Sequence, residues 1–184
     1  INFQADPPFN GRRINQGVEG LTQSPDGTLL FGLMQSATIQ DSGSGNQGRS
    51  NTRLVVYDIT ATDLPNDPIA QYVIQLPVID SDGASGVDRT GAQSSILALN
   101  NHQLLILSRD GNGRGAAGAP VFKSLLLAEL TGATNFDGTF DGEGGAVRTD
   151  RTPRLRQRQI HVDFGVMFVN GRDRAAVLDQ DVEQ

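Results

Sequence analysis

An internal repeat limits what this chain can fold into more than any other feature. Residues Leu21 to Met34 (LTQSPDGTLLFGLM) and Ile96 to Arg109 (ILALNNHQLLILSR) align without a gap at an offset of 75 residues. Each has a short apolar stretch, a polar turn and an apolar run. In the first, Ser24-Pro25-Asp26-Gly27 places Pro and Gly where a turn needs fixed or positive φ; in the second, Asn100-Asn101-His102 relies on the tolerance of Asn for left-handed geometry. Both segments predict β-hairpins. A second pair follows in the same order, because Leu54 to Thr60 (LVVYDIT) matches Leu125 to Thr131 (LLLAELT) at an offset of 71. The difference falls in loops, Gln35 to Thr52 and Asp110 to Pro120, so the units share strands and differ in excursions.

In the first unit the alternating run Ile69 to Leu76 supplies a fourth strand, with Ala70, Tyr72, Ile74 and Leu76 on one face. Four antiparallel strands per unit is the make-up of one propeller blade. The expected fold is therefore all-β: two four-stranded antiparallel β-propeller blades, at about residues 15–77 and 90–145, within a segment spanning 1–146. An Arg-rich tail over 147–184 follows, read as extended, with a further strand or strand pair expected in 159–170. Propellers close with four to eight blades, so these two are expected to belong to a larger ring. The missing blades would come from the rest of a longer or nicked chain or from neighbouring copies. An open β-sandwich built from the same strands is the alternative.

Composition narrows the chemistry. Glycine supplies 22 of 184 residues and aromatics only 5%, which suits a turn-rich β-fold. No run approaches the roughly 18 apolar residues of a membrane-spanning helix. The net charge of −6 argues against general nucleic-acid binding. Without cysteine there is no disulfide framework, thiolate metal site or Cys nucleophile, and with only His102 and His161 a site of three imidazoles is excluded within this sequence.

Short motifs add little. Gly43-x-Gly45-x-x-Gly48 and Gly113-x-Gly115-x-x-Gly118 satisfy a dinucleotide fingerprint literally, but neither joins a strand to a helix. The run from Asp110 to Gly115 begins like a calcium loop, yet it has Arg114 at the fifth position and Val121 at the twelfth, so it is no EF-hand. Asp80, Asp82 and Asp88 form an acidic loop without fixed spacing. No Gly-x-Ser-x-Gly elbow occurs. His102 sits in a hairpin turn, where it reads as a turn residue rather than a general base.

The ordered segments Gln16 to Gly27 (QGVEGLTQSPDG), Met34-Gln35-Ser36, Arg53 to Asp58 (RLVVYD), Ser95 to Leu99, Leu104 to Asp110 and Lys123 to Leu127 resemble the phytase-like family, also described as esterase-like activity of phytase. The resemblance implies a β-propeller, an extracellular or periplasmic location, phosphoric-ester hydrolysis of a phosphorylated small molecule, and a longer domain of which this chain is the C-terminal portion. Family members often carry acidic residues where Ser95 and Ser108 stand here, so any carboxylate function at those positions is lost. Hydrolysis of a phosphate ester needs cations against the substrate and carboxylates to hold metal or position water. Glu19, at the entry of the first hairpin, is the leading acidic candidate; a solvent-exposed or backbone-bonded carboxylate is its plainer reading. Arg109 is placed to grip an anionic oxygen and Asp110 to ligate calcium, with a structural Arg–Asp turn contact as the alternative. The expected catalytic set is thus Glu19, Arg109 and Asp110, with Glu19 and Asp110 as ligands for Ca²⁺. A non-catalytic propeller, serving binding or assembly through its Gly-rich loops, is the rival function.

Overall fold

The computed structural model describes residues 11–42, 49–61, 65–80, 88–111, 122–137 and 156–160. It is all-β, with no α-helix among the described residues. The strands are β1 (Val18–Gln23), β2 (Leu29–Met34), β3 (Asn51–Asp58), β4 (Ala70–Gln75), β5 (Val78–Asp80), β6 (Asp88–Thr90), β7 (Ala92–Ala98), β8 (Gln103–Arg109), β9 (Lys123–Glu129) and β10 (Arg156–Ile160). Two antiparallel four-stranded sheets result, ordered β1-β2-β3-β4 and β10-β9-β8-β7, joined by the small β5–β6 hairpin. The Arg-rich stretch read as an extended tail contributes β10, which runs alongside β9 from Arg156 opposite Glu129 to Ile160 opposite Leu125.

Alternation sorts the side chains. Phe31, Leu33, Leu54, Val56 and Ile74 from the first sheet meet Ile96, Leu104, Ile106, Leu126 and Ala128 from the second in one buried cluster. Ala70 and Leu76 belong to it and Tyr72 packs against it, as a two-residue period requires. The sheets approach closest where β1 lies against β7. A Cβ on Gly20 would stand 2.8 Å from Ile96 Cγ2 and 3.0 Å from Gln93 Oε1, so the approach depends on glycine. Along the same seam the Gln93 side-chain amide donates to the Leu33 carbonyl (2.8 Å), its backbone N–H donates to Gln35 (3.1 Å), and Ala98 N–H donates to the Thr22 hydroxyl (3.2 Å).

The hairpin turns are built by side chains. Asp26 Oδ1 accepts from the Ser24 hydroxyl (2.6 Å), the Thr28 hydroxyl (2.8 Å) and Thr28 N–H (3.1 Å), and Gly27 takes φ of +76°. At the other hairpin the expected left-handed Asn is not used: among the described residues only Asn15 has positive φ without being glycine. Instead Asn100 Oδ1 accepts from both His102 N–H (2.9 Å) and Gln103 N–H (2.8 Å), an Asx turn that needs no left-handed residue. Asn101 then donates to Asp26 Oδ2 at 2.7 Å, tying one turn to the other.

Each first strand carries a β-bulge. The register skips Glu19 between Val18 and Gly20 in β1, and Ser94 between Gln93 and Ser95 in β7, positions related by the 75-residue offset.

The glycines of the first sheet give a matched test. Gly20→Ala is expected to destabilise by about 1–3 kcal/mol through overpacking. Gly32→Ala meets only ordinary contacts, at 3.7 Å from Val18 and 3.9 Å from Leu21, and is expected to be neutral or mildly stabilising. Urea unfolding of the two variants checks this; equal effects would show that the β1–β7 approach is not tight.

Candidate functional site

The antiparallel order gives the two sheets distinct ends. At one end, the turn end, β1–β2 and β7–β8 are joined by tight turns. At the other, the loop end, lie the starts of β1, β3, β7 and β9, the ends of β2 and β8, the 35–50 and 110–122 connections, and the path between the sheets. The chemistry-bearing residues divide between these ends unequally.

At the turn end the acids serve the backbone. Glu129 Oε1 accepts from Thr131 N–H (2.9 Å) and Oε2 from the Gln103 amide (2.7 Å). Asp58 accepts from the Thr60 hydroxyl (2.6 Å) and N–H (2.8 Å) in the equivalent place on the first sheet. These bonds favour the ionised forms. The Thr131 bonds first, then Gln103, pull Glu129 from its ordinary 4.5 to about 2; Thr60 lowers Asp58; and Ser24 first, then Asn101 and Thr28, hold Asp26 far below the carboxylate range. His102 is exposed beside them in its turn, where its carbonyl accepts from Leu130 N–H at 2.7 Å.

The sequence-predicted residues all lie at the loop end. Glu19 is the extra residue of the β1 bulge and is exposed. A bulge re-aims the side chain it carries, and bulges concentrate beside active sites. Arg109 ends β8 opposite Ala92 and Lys123, half-buried, with Nη1 donating to the Asp110 carbonyl at 3.0 Å. Asp110 is only 3% exposed, and its Oδ2 accepts from Phe122 N–H at 2.9 Å while its own N–H donates to the Phe122 carbonyl at 3.0 Å. Asp110 therefore closes the base of the 110–122 connection. Arg109 and Asp110 are brought together; Glu19 stands on the other sheet, and no ion pair links it to Arg109 among the described residues.

Calcium takes six to eight oxygens. Among the described residues no group of three or more His, Asp or Glu is placed to hold a metal ion. Glu19 lies on the first sheet, and Asp110, at the end of β8 in the second, accepts from the Phe122 backbone. Asp80 and Asp88 pair in register on β5–β6, while Asp82, His161 and both GxGxxG stretches lie outside the described residues.

The most elaborate polar group at the loop end escaped the sequence reading. Asp41 and Arg53 form a buried two-pronged ion pair, Nε to Oδ2 at 2.6 Å and Nη2 to Oδ1 at 3.0 Å. The Thr38 hydroxyl donates to Asp41 at 2.5 Å, Arg53 Nη1 reaches Gln71 Oε1 at 3.4 Å, and the Gln71 amide donates to Asp137 at 2.9 Å. The Arg53 guanidinium lies 5.5 Å from the centre of the Phe136 ring. By alternation Arg53 projects from β3 on the face away from the shared core, so the pair pins residues 38–41 onto that face. The signal was an arginine inside the otherwise apolar strand segment Arg53 to Tyr57.

The chain belongs to the phytase-like family, described as esterase-like activity of phytase, whose profile matches residues 2–164. A relative from Arthroderma benhamiae, described as an uncharacterized secreted protein, is 40% identical over 119 residues, covering 62% of this chain and 23% of that protein. The chain thus spans less than a quarter of that relative's length. No solved structure matches significantly. Among the described residues no helix is long and apolar enough to cross a membrane.

Two outcomes are expected. Removing one partner of the buried pair, as in Asp41→Ala, leaves an uncompensated charge and should cost about 3–5 kcal/mol in chemical denaturation; a loss under 1 kcal/mol would mean that water reaches Arg53. For Glu129, whose folded pKa lies below its unfolded value, the stabilisation is complete above about pH 4.5 and is lost as the pH falls towards 2. Glu129→Gln should therefore show a shallower decline of unfolding temperature across that window, and parallel profiles would exclude the contribution.

Proposed function

We propose that this chain forms two neighbouring blades of an exported β-propeller and that the loop end faces its substrate, a phosphoric ester. The observation that carries the reading is Glu19: a carboxylate on the unpaired residue of a bulge, exposed at the end of the sheets where the variable connections gather. Family membership supports the reaction class, and the secreted description of the relative supports export.

In this reading the blades cover about residues 15–77 and 90–145, with β10 drawn from the Arg-rich stretch to complete the second. The face of the second sheet opposite the shared core supports a missing neighbour. Leu97, Leu105 and Leu127 lie side by side on it, as do Leu107 and Leu125, and Leu97 remains 56% exposed. Burying such a face against a further blade is the usual solution for stacked sheets. That blade comes from the rest of a longer or nicked chain or from a neighbouring copy.

For hydrolysis, Glu19 accepts a proton as water attacks phosphorus, Arg109 neutralises a phosphate oxygen, and the P–O bond to the departing alcohol breaks as the alcohol takes up a proton. In a calcium-assisted version Glu19 and Asp110 would hold the ion together with further oxygens from the remaining blades, and the ion would supply positive charge against the phosphate. The second reading is a non-catalytic binding or assembly module. The engagement of Asp110 with Phe122 favours it, since that carboxylate is explained by structure alone.

The test is release of inorganic phosphate from an aryl phosphate by the whole secreted protein. Glu19→Gln is expected to lower the rate about 100-fold or more, in line with loss of a general base, with an unchanged unfolding temperature. An undiminished rate removes Glu19 from the chemistry, and no release by the wild type under any divalent ion leaves the binding module as the function.

A further inference from the structure

All but one of the 15 basic residues are arginine, so cationic chemistry in this chain is guanidinium chemistry, planar and suited to two-pronged contact with oxyanions. Two of these arginines meet at the loop end. Residues 11–17 fold back along the end of β2: Ile39 N–H donates to the Gly11 carbonyl (2.9 Å), Gly11 N–H to Gln40 Oε1 (2.8 Å), Gln35 N–H to Gly17 (2.8 Å), and the Ser36 hydroxyl to Gln16 Oε1 (2.8 Å). Within that segment Arg13 and Gln16 close a tight turn, with Gln16 N–H donating to the Arg13 carbonyl at 3.1 Å and Asn15 at φ +55°. Ala37 N–H donates to the Arg49 carbonyl at 3.0 Å, which brings the second arginine to the same short stretch.

The two guanidiniums repel. Burial first, and the positive charge of Arg49 second, lower the pKa of Arg13. The Nε atoms of both are shut off from solvent without a hydrogen-bond partner. The contrast with Arg53 is direct: that guanidinium holds Asp41, whereas among the described residues no carboxylate forms an ion pair with Arg13 or Arg49. Two like charges on adjoining stretches of chain, each with a buried unsatisfied donor, are a standing cost in the absence of an anion. Buried amide oxygens without partners also occur at Gln35, just after β2, and at Asn51, the first residue of β3. A half-turn of either amide would present NH₂ donors in place of oxygen.

We propose that Arg13 and Arg49 jointly hold one small oxyanion, a phosphate or carboxylate group, bound between residues 11–17 and the end of β2. The oxyanion accepts from the Nε and Nη donors of both guanidiniums and cancels their repulsion. The proposal goes beyond the hydrolase reading, because it uses neither Glu19, Arg109 nor Asp110 and applies equally to a non-catalytic protein.

Thermal unfolding of the whole secreted protein in sodium phosphate, sodium acetate and sodium chloride at matched ionic strength tests it. A saturable rise in the unfolding midpoint with phosphate or acetate over chloride is expected, following the mass-action stabilisation of a bound state. A rise with phosphate alone assigns the site to phosphate groups; a rise with acetate as well assigns it to carboxylates too. Arg13→Gln and Arg49→Gln should each weaken the apparent affinity about tenfold or more. Without added anion, each variant should unfold no earlier than wild type, because it relieves a repulsion. Equal midpoints in all three salts would overturn the proposal. So would variants that keep the full anion effect, or variants that fail to fold or unfold earlier in chloride, since the arginines would then be structural.

Discussion

The architecture depends on one close approach, that of β1 to β7. Gly20 lets the two backbones come together, and Gln93 fills the gap beside it while donating to the Leu33 carbonyl. With the seam at this distance, Phe31 and Leu33 on one sheet can reach Ile96 and Ile106 on the other and form a single core. Thr22 with Ala98, and Asp26 with Asn101, continue the seam to the turn end, so the two sheets are fastened along the whole length of their first strands. On the far side the segment after β9 returns to the first sheet, where Phe136 N–H donates to the Gln71 carbonyl and Asn135 Oδ1 accepts from Gln71 N–H.

This fastening separates two tasks. At the turn end the carboxylates of Asp26, Asp58 and Glu129 are occupied with backbone N–H and hydroxyl groups, and they are held ionised by those bonds. At the loop end the buried pair Asp41–Arg53 anchors a connection against the sheet, which lets that connection carry other groups without a regular strand beneath it. Glu19 and Arg109 lie at the same end, one on each sheet.

The strands were legible because their signals are local. Alternation in Ile69 to Leu76 puts Ala70, Ile74 and Leu76 in the core, and Pro25 with Gly27 marks the first turn. The two hairpins span the aligned segments, each with its bulge two residues before the segment begins, at Glu19 and Ser94. Less legible were features set by long-range partners. The Asp41–Arg53 pair joins residues separated by a glycine- and serine-rich stretch, and nothing local announces which carboxylate an isolated strand arginine will meet. An Asn-rich turn suits either a left-handed residue or an Asx turn, and the side-chain oxygen of Asn100 selects the second. Of the site, the position of Glu19 at a strand entry was readable, but its role as a bulge residue appears only when β1 is paired with β2. The Arg13–Arg49 pairing needed the fold-back of residues 11–17, which no periodicity signals.

The Arg-rich run read as an extended tail supplies a strand, Arg156–Ile160, which lies in the second sheet as β10. Among the described residues that strand is at an edge, with β9 on one side only. An edge strand exposes unpaired N–H and C=O groups that invite a further strand from any other molecule. A sequence of Arg and Gln there, in place of Val and Ile, makes such recruitment unfavourable through like-charge repulsion between copies.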